Sequence, residues 1–568
     1  MGSSLSRSVA DLSSGDPAER EAAARTISAA ACKPANREVI VEVGALAPLV
    51  ELLGSGSPGA QEAAAEALAN LASQTPSNAK AMVAAGSIPP LINLLGSGTD
   101  GAKAEAARAL TNISCHSPSK RQAIASAGGI APLVELLGGR TGTAEHAKAV
   151  PAAAALANLA GEASIAQQIA DAGAISPLTV LLGRGSSAPA QEQAVAALAL
   201  LVLHHPPLGQ AIVSAGGIPA LVALLSSPCP EVARDATWLL CSLAAEHPPC
   251  RRVITAAGAL QPLVAVLLGA ASPAVQSAAA GALANLLGEH ITAGQAEVAA
   301  AGIPALVDLL ESDSPAAQER AAAALANLAA ASVACQQAIG ESGSVPPLVA
   351  LLASEHSPAV QEQAARALCN LSCRNPASLQ AIAAAGGIPP LLDLLASEHP
   401  SVVNVAAGAL AHLACDPANR QEIAAAGGIQ LLLHLLGCGS AGVQAEAAEA
   451  LRLCAGDPAT RPAITAAGGI APLVALLGSK STTLTQAQAA WAVYHLAAGQ
   501  PSNQHAIVAA GGLPLLQQLQ CASPDADVRA AAAAALQHLR AFVEREADSC
   551  RSPDAASQLS VQQSSSAY

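Results

Sequence analysis

Aromatic side chains are almost absent from this chain. Its 568 residues include two Trp, two Tyr and one Phe, although apolar residues as a whole make up 52% of the sequence. Leu, Ile, Val and Ala must therefore fill the core, because these are the remaining residues that are commonly buried. A core made of such side chains predicts helices that approach one another closely.

Positive charge is also scarce. The chain has 27 Lys and Arg against 41 Asp and Glu, which gives a net charge of −14. No dense basic cluster interrupts this balance, and a nucleic-acid-binding protein normally shows one. Nucleic acid is therefore not expected as a partner.

Signals for membrane insertion or secretion are weak. The N-terminus has no secretory signal. The stretch from Val253 to Gly288 contains no charged residue and is long enough to span a bilayer. However, Pro262 and Pro273 interrupt it, and the repeat described below continues through it in phase. We therefore expect buried helices and no transmembrane segment.

Catalytic and metal-binding motifs are missing from the sequence. It has no G-x-S-x-G elbow, no HExxH and no phosphate-binding loop with Lys, so we expect neither an enzyme nor a cofactor. Thirteen Cys occur without a CxxC pair, which predicts free thiols in a reducing compartment, the cytoplasm, with the nucleus left open. Cys369 and Cys373 are one helical turn apart, but no second pair of ligands accompanies them, so no metal site is predicted.

One unit of about 42 residues recurs along the chain, most clearly at residues 86–115. Aligning its copies defines a column that we call the asparagine row. The row consists of Asn70, Asn112, Asn158, Leu200, Ser242, Asn285, Asn327, Asn370, His412, Leu453, His495 and His538. Such a fixed period predicts stacked supersecondary units that bury one another's apolar faces.

Each unit reads as three helices. The first commonly ends at Gly-Gly, where glycine tolerates the left-handed turn that stops a helix. The second begins at Pro and has apolar residues at i, i+3 and i+4. The third and longest often opens with Ser-Pro, which is a cap followed by a first-turn proline. One copy has extra residues around 140–143 and Pro151 inside its third helix, so we expect a bend or a loop there.

The pattern divides the chain into four segments. Residues 1–15 are small and polar and are predicted to be disordered, and residues 16–33 form an N-terminal capping helix. Residues 34–547 form an array of about twelve repeats, and residues 548–568 form a disordered tail. Gly2 and Ser6 fit an N-myristoylation signal, with a plain disordered start as the alternative. A single acyl chain would give only weak, reversible membrane binding.

The G-x-I-P-P-L-V-x-L-L second helix and the A-L-x-N-L third helix resemble the armadillo repeat. HEAT repeats fit less well, because they have two helices and lack the Gly-Gly break. The resemblance implies an all-α fold, a right-handed α-solenoid whose third helices line a concave groove. The whole-chain layout most resembles vacuolar protein eight-like scaffolds and plant and algal armadillo proteins, which implies peripheral attachment to an endomembrane or vacuole through Gly2.

The same resemblance suggests a peptide-binding surface. In importin-α and β-catenin relatives, the third-helix Asn bonds the backbone of an extended partner, since an amide offers both a donor and an acceptor. In importin-α, a Trp array lies four residues earlier, and here only Trp238 and Trp491 match it. The resulting candidates are Asn70, Asn112, Asn158, Trp238, Ser242, Asn285, Asn327, Arg366, Asn370, His412, Trp491 and His495.

The row also suggests how binding is distributed. Leu200 and Ser242 interrupt it, which predicts two sub-sites, one at Asn70, Asn112 and Asn158 and another at Asn285, Asn327 and Asn370. Histidines replace Asn in the C-terminal third. Their imidazoles predict either a pH-tuned groove or ordinary polar lining.

The resulting hypothesis is a monomeric, non-enzymatic scaffold that holds extended segments of partner proteins. A substrate-recognition subunit of a ubiquitin ligase is the alternative. An importin-α-like transport adaptor is a further one, but the sparse Trp column argues against it.

Overall fold

The computed structural model describes residues 2–115, 117–138, 143–269, 272–288, 292–438, 440–478 and 480–551. All regular structure in these ranges is helical, so the predicted all-α solenoid is confirmed. The chain divides into two compact units, Met1–Glu289 and His290–Tyr568. Within each unit, the described helices fall into six consecutive triplets.

The first unit opens with two helices, Gly2–Asp11 and Pro17–Ala31, which precede the triplets. Its first helices are Pro34–Glu42, Pro76–Ala84, Pro118–Ser126, Ala163–Asp171, Leu208–Ser214 and Pro248–Ala256. Its second helices are Leu46–Ser55, Ile88–Ser97, Ile130–Leu137, Ile175–Leu181, Gly217–Leu224 and Leu260–Leu268. Its third helices are Pro58–Ala72, Asp100–Ser114, Thr143–Ala160, Ala188–His204, Pro230–Glu246 and Pro273–Leu287.

The second unit repeats this order. Its first helices are Ala293–Ala300, Val333–Glu341, Pro376–Ala384, Pro417–Ala425, Arg461–Ala466 and Pro501–Ala509. Its second helices are Ile303–Leu310, Val345–Ala350, Ile388–Leu394, Gly428–Cys438, Ile470–Ala475 and Gly512–Ala522. Its third helices are Pro315–Ala331, Pro358–Ser372, Pro400–Leu413, Ala441–Gly456, Thr483–Ala497 and Ala526–Arg551.

The core of each unit runs between successive third helices and between each third helix and its own second helix. In Asp100–Ser114, for example, Ala106, Ala107 and Leu110 have no exposed surface. Alanine at these positions lets the helix axes approach closely, while Leu fills the remaining space. Small side chains therefore serve as the packing surface, as the composition predicts.

Glycine pairs set the turn between the first and second helices. Gly128 has φ +81°, in the left-handed region that favours glycine. A Cβ on its neighbour Gly129 would lie 2.9 Å from Cγ2 of Ile124 and 3.0 Å from the Ile124 carbonyl oxygen. The first glycine therefore supplies the conformation and the second supplies the room for the next helix to cross.

Two local features differ from the sequence expectations. Gly2–Asp11 is helical where disorder is expected, and Leu5 and Leu12 are buried against the next helix, which accounts for the order. Thr143–Ala160 continues through Pro151, so the chain forms no loop at this proline. The Thr111 hydroxyl, on the preceding third helix, donates to the Pro151 carbonyl at 3.0 Å, and packing between these helices supports the segment.

The C-terminal end also differs in detail. The last third helix begins at Ala526, two residues after the Ser-Pro pair at 523–524, which shows the pattern expected at its start. The Asp525 carboxylate accepts hydrogen bonds from the backbone N–H groups of Asp527 and Val528. The helix continues to Arg551, beyond the expected end at 547. Residues 552–568, most of the predicted tail, lie outside the described residues.

Within the described ranges, no single helix combines the length and apolar character needed to cross a membrane. Pro248–Ala256 and Leu260–Leu268 meet both criteria only when taken together, and the chain bends by 86° between them. The same ranges contain no group of three or more His, Cys, Asp or Glu side chains arranged to hold a metal ion.

Candidate functional site

The asparagine row lies on the third helices, and most of its described amides bind inside the protein. In three of them, the Nδ2 group donates to a backbone carbonyl of the preceding third helix. That carbonyl belongs to the residue just before the row position. The pairs are Asn112 to Ala69 at 2.8 Å, Asn158 to Thr111 at 3.1 Å and Asn370 to Ala326 at 2.8 Å. The donor half of each amide therefore joins consecutive repeats.

Two of these hydrogen bonds supply a donor to backbone carbonyl groups at the C-terminal ends of helices. Ala69 and Thr111 lie in the last four residues of their helices, where carbonyl groups have no intrahelical partner. The Asn on the next repeat supplies the missing donor. This structural role is what orients the amides at a common register.

His412 performs the same task with an imidazole. Its Nδ1 lies 3.0 Å from the Cys369 carbonyl oxygen and 3.3 Å from the Ser372 hydroxyl. Asn158, at the corresponding place in the first unit, likewise bonds the Ser114 hydroxyl at 3.2 Å. A histidine in the row can thus replace Asn as a link between repeats.

Asn70 uses both edges of its amide. Its Nδ2 donates to the Ser28 hydroxyl at 3.1 Å and to the Ser28 carbonyl at 3.3 Å. Its Oδ1 accepts from a terminal nitrogen of Arg108 at 2.9 Å. Asn70 is also only 9% exposed, so its amide is less available to a partner protein than the amides of Asn112, Asn158 and Asn370.

Other row amides keep an acceptor available. The Oδ1 atoms of Asn112, Asn158 and Asn370 accept from no donor among the described residues, and Asn285 makes no side-chain hydrogen bond there. In Asn112, Asn158 and Asn370, the half of the amide without a partner is thus an acceptor, which is the complement of a peptide N–H.

Asn112 also opens onto a cavity of about 420 Å³ between two consecutive repeats. Thr75, Cys115 and Lys120 contribute to its lining. Burial lowers the pKa of the Lys120 ammonium. Its volume of about 420 Å³ is large enough for a side chain of a peptide that contacts Asn112.

The two Trp candidates lie on the fifth third helix of each unit. Trp238 is 37% exposed, and its carbonyl accepts from the Ser242 hydroxyl at 3.1 Å, which turns Ser242 toward its own helix. Trp491 donates from Nε1 to Asp527 at 3.3 Å and packs edge-on against Tyr494, with ring centroids 5.6 Å apart.

Tyr494 forms the centre of an aromatic cluster. Its ring centroid lies 5.0 Å from that of His495 and 5.1 Å from that of His538. Burial lowers the pKa of His495, and Arg452 and Arg461 lower it further. These contacts make His495 a largely neutral polar group at pH 7.

The Arg366 guanidinium has little support from other groups of the protein. It lies one helical turn before Asn370 on Pro358–Ser372, and its Nε is buried without a hydrogen-bond acceptor. Burial lowers the pKa of this guanidinium, an effect that Glu362 partly offsets.

The predicted sub-sites are divided unequally between the two units. Asn70, Asn112 and Asn158 lie on consecutive third helices of the first unit. Asn285 also belongs to the first unit, whereas Asn327 and Asn370 lie on consecutive third helices of the second. The three residues of the second predicted sub-site therefore do not all belong to one unit. Gly2 begins the first helix, and its acylation remains a prediction.

A second polar row escaped the sequence analysis. Glutamines nine residues before the asparagine row donate to carbonyl groups in the last turn of the second helices or in the three residues that follow them. Examples are Gln61 to Leu53 at 3.0 Å, Gln361 to Ala353 at 2.8 Å and Gln486 to Gly478 at 2.8 Å. The recurrence of Gln at this register was visible in the sequence. Its carbonyl partner, eight residues earlier in these examples, lies across the turn between two helices, so only the fold identifies it.

The repeats match a known family model. The armadillo/β-catenin-like repeat model matches residues 33–73, 75–115, 206–245, 247–288, 294–330, 332–373, 375–415, 416–455 and 457–498, which is well over half of the chain. The chain belongs to the armadillo repeat family. The unmatched stretch between residues 115 and 206 includes the copy with the extra residues and Pro151.

Solved structures support the armadillo fold. An engineered protein is 36% identical with a TM-score of 0.60, and the alignment covers 72% of this chain and 98% of the engineered one. A chain from work on a phosphorylation switch in the cadherin–β-catenin interaction is 20% identical with a TM-score of 0.75, covering 87% and 98%. At this identity the second likeness concerns the fold alone. No curated protein matches the chain in sequence.

Proposed function

We propose that this armadillo protein is a non-enzymatic scaffold that holds extended segments of partner proteins against its third helices. The observation that carries the proposal is the set of Oδ1 acceptors of Asn112, Asn158 and Asn370, which accept from no donor among the described residues. Each is held by a bond from its own Nδ2 to the preceding helix. Such pre-oriented acceptors can bind backbone N–H groups of an extended segment without selecting its side chains.

Two further points support binding of a protein partner. Armadillo solenoids commonly bind proteins, and the β-catenin structure of similar fold comes from work on the cadherin interaction. The cavity beside Asn112 is also large enough for one or more side chains. Specificity would then come from the residues around the row, while the amides set the register.

A binding selection tests this function directly. Dodecapeptides displayed on phage are selected on the full chain, and the enriched sequences are made synthetically for calorimetric titration. Asn112→Ala and Asn370→Ala should each weaken binding at their own unit by about 1–3 kcal/mol, the value of a buried hydrogen bond whose partner is left unsatisfied.

The matched control is Asn93→Ala, which makes the same change on the exposed side of the second helix Ile88–Ser97. N-methylation of single peptide bonds adds a second check. Methylation at the contacting N–H should weaken binding to the unmodified chain and have no further effect on the Asn370→Ala variant. Peptides that bind both Asn→Ala variants as tightly as they bind the unmodified chain would remove the row from the proposal.

Two other functions remain as alternatives, the first tested by the same selection and the second by purification of the protein with its partners. Enrichment of Lys/Arg-rich peptides would favour a transport adaptor. Co-purification with a chain that binds a ubiquitin-conjugating enzyme would favour the substrate-recognition subunit of a ligase.

A further inference from the structure

The two units repeat one surface pattern on their third helices. In the second triplet of each, Arg is the ninth residue of a fifteen-residue helix and Asn is the thirteenth, namely Arg108 with Asn112 and Arg366 with Asn370. In the fifth triplet of each, Trp238 and Trp491 take the position equivalent to the Arg. The second-triplet arginines can therefore be compared as equivalent residues in similar surroundings.

Arg108, in the first unit, is fully engaged within the protein. Its Nε donates to the Glu105 carboxylate at 2.8 Å, and one terminal nitrogen binds the same carboxylate. The other terminal nitrogen donates to Asn70 Oδ1 at 2.9 Å. A carboxylate three residues earlier thus neutralises this guanidinium.

Arg366, in the second unit, lacks that carboxylate. The residue three positions earlier is Gln363, and Oε1 of Gln363 is itself buried without a donor. Within the described ranges, Arg366 Nε has no acceptor and its guanidinium forms no ion pair. The nearest acid on its own helix, Glu362, already accepts from the Ser401 hydroxyl at 2.6 Å.

A guanidinium that forms no ion pair in this setting favours binding of an external anion. Arginine does not lose its proton in proteins, and a partly buried charge without a partner is unfavourable. A carboxylate is the natural complement, because two of its oxygens match the planar fork of donors. Asn370 lies one turn along the same face, so a segment bonded to Asn370 would bring its side chains near Arg366.

We propose that Arg366 binds the carboxylate of an Asp or Glu side chain in the partner segment that lies along Asn370. The inference rests on the proposed scaffold function and specifies the partner as an acidic peptide. A carboxylate is favoured over a phosphate because Arg366 is a single cation with Glu362 beside it, and the chain as a whole carries a net charge of −14. The first unit offers no such site, since the Arg108 guanidinium already forms an ion pair with the Glu105 carboxylate.

A reciprocal exchange between the units tests the proposal. Gln363→Glu gives Arg366 the internal partner that Arg108 has, and Glu105→Gln removes that partner from Arg108. The probe is the same phage library of random dodecapeptides, selected on the full unmodified chain and on each variant. The unmodified chain should enrich peptides with an acidic residue at one position, and Gln363→Glu should abolish this preference.

Titration of the synthetic peptides measures the size of the effect. Replacing the peptide Asp by Asn, or making Arg366→Gln, should each weaken binding about 10- to 100-fold, as expected for a hydrogen bond to a charged group. The two changes together should weaken it no more than either alone, because they remove one interaction. Glu105→Gln should create an acidic preference that depends on Arg108.

The control is Gln380→Glu, which adds the same charge to an exposed position on the first helix Pro376–Ala384 of the same unit. It should leave affinity unchanged. Gln363→Glu should also melt no lower than the unmodified chain, so a loss of binding cannot come from unfolding.

Three results would overturn the inference. Additive losses in the double change would show that Arg366 and the acidic side chain do not meet. A synthetic peptide that loses no affinity when its Asp is replaced by Asn, but gains affinity when phosphoserine replaces it, would assign a different anion. Peptides weakened by Asn370→Ala but indifferent to Gln363→Glu would keep the scaffold function and remove only the Arg366 contact, whereas no dependence on Asn370 would remove both.

Discussion

The two units of this chain share one architecture but differ in how much of their polar surface is used internally. In the first, Asn70 and Glu105 occupy Arg108. In the second, the equivalent Arg366 has no such partner. The row also differs between the units at equivalent positions. His412 in the second unit corresponds to Asn158 in the first, and His495 corresponds to Ser242. Repeats with the same core can therefore present different chemistry to a partner, because core and surface residues vary independently.

The largest effect should come from the shared core, and it should be equal in both units. Leu110 and Leu368 occupy the same position in equivalent helices and have no exposed surface. Replacing either by Ala should cost about 2–5 kcal/mol through lost burial and a residual cavity. Hydrogen exchange read by mass spectrometry should show matching losses of protection, each confined to the altered unit. Clearly unequal losses would mean that the two cores are not equivalent.

A smaller effect concerns the dependence of stability on pH, which should differ between the units because of His495. Burial, Arg452 and Arg461 hold the pKa of His495 below its usual value of 6.5. The unfolded chain therefore takes up the proton first, so this residue's contribution to stability is complete above about pH 6.5 and is lost as the pH falls below it. The surrounding groups are Tyr494 and, across its ring, His538.

His495→Ser copies Ser242 of the first unit and should make the second unit less sensitive to acid. Urea unfolding at pH 5.5 and 7.5 measures this as a smaller difference between the two conditions. Burial raises the pKa of Glu446, so its contribution to stability is lost as the pH rises above about 4.5. Glu446 is present in both the unmodified chain and the His495→Ser variant, so its effect cancels in the comparison. An unchanged pH difference would show that His495 titrates as it does in the unfolded chain.

The smallest effect concerns one strained residue in each unit. Gln74 and Arg374 have φ of +54° and +55° four residues after the row, where the corresponding Gly499 has φ +68°. Glycine at 74 or 374 should raise the free energy of unfolding by up to about 1 kcal/mol, since relief of the left-handed strain exceeds the added entropy of the unfolded chain. Thermal unfolding would measure a slightly higher midpoint. A lower midpoint would mean that the native side chain makes contacts that outweigh the strain.

Much of the fold followed from local patterns. The period, the Gly-Gly turns and the Ala-rich third helices predicted the triplets, because each pattern acts through neighbours in sequence. The helix Gly2–Asp11 was missed because its order comes from Leu5 and Leu12 packing on the next helix. The continuity across Pro151 was missed for a similar reason, since a neighbouring third helix supports that segment.

For the candidate site, the sequence identified the row but not the use of its amides. The residues alone could not show that Asn112 donates to Ala69, that Arg108 donates to Asn70, or that Arg366 Nε is buried without an acceptor. These pairings join atoms that are dozens of residues apart or depend on the depth of burial, so they exist only once the helices have stacked. The sequence by itself determined the repeat and its hydrophobic period, whereas the tertiary structure decided which polar atoms remain available to a partner.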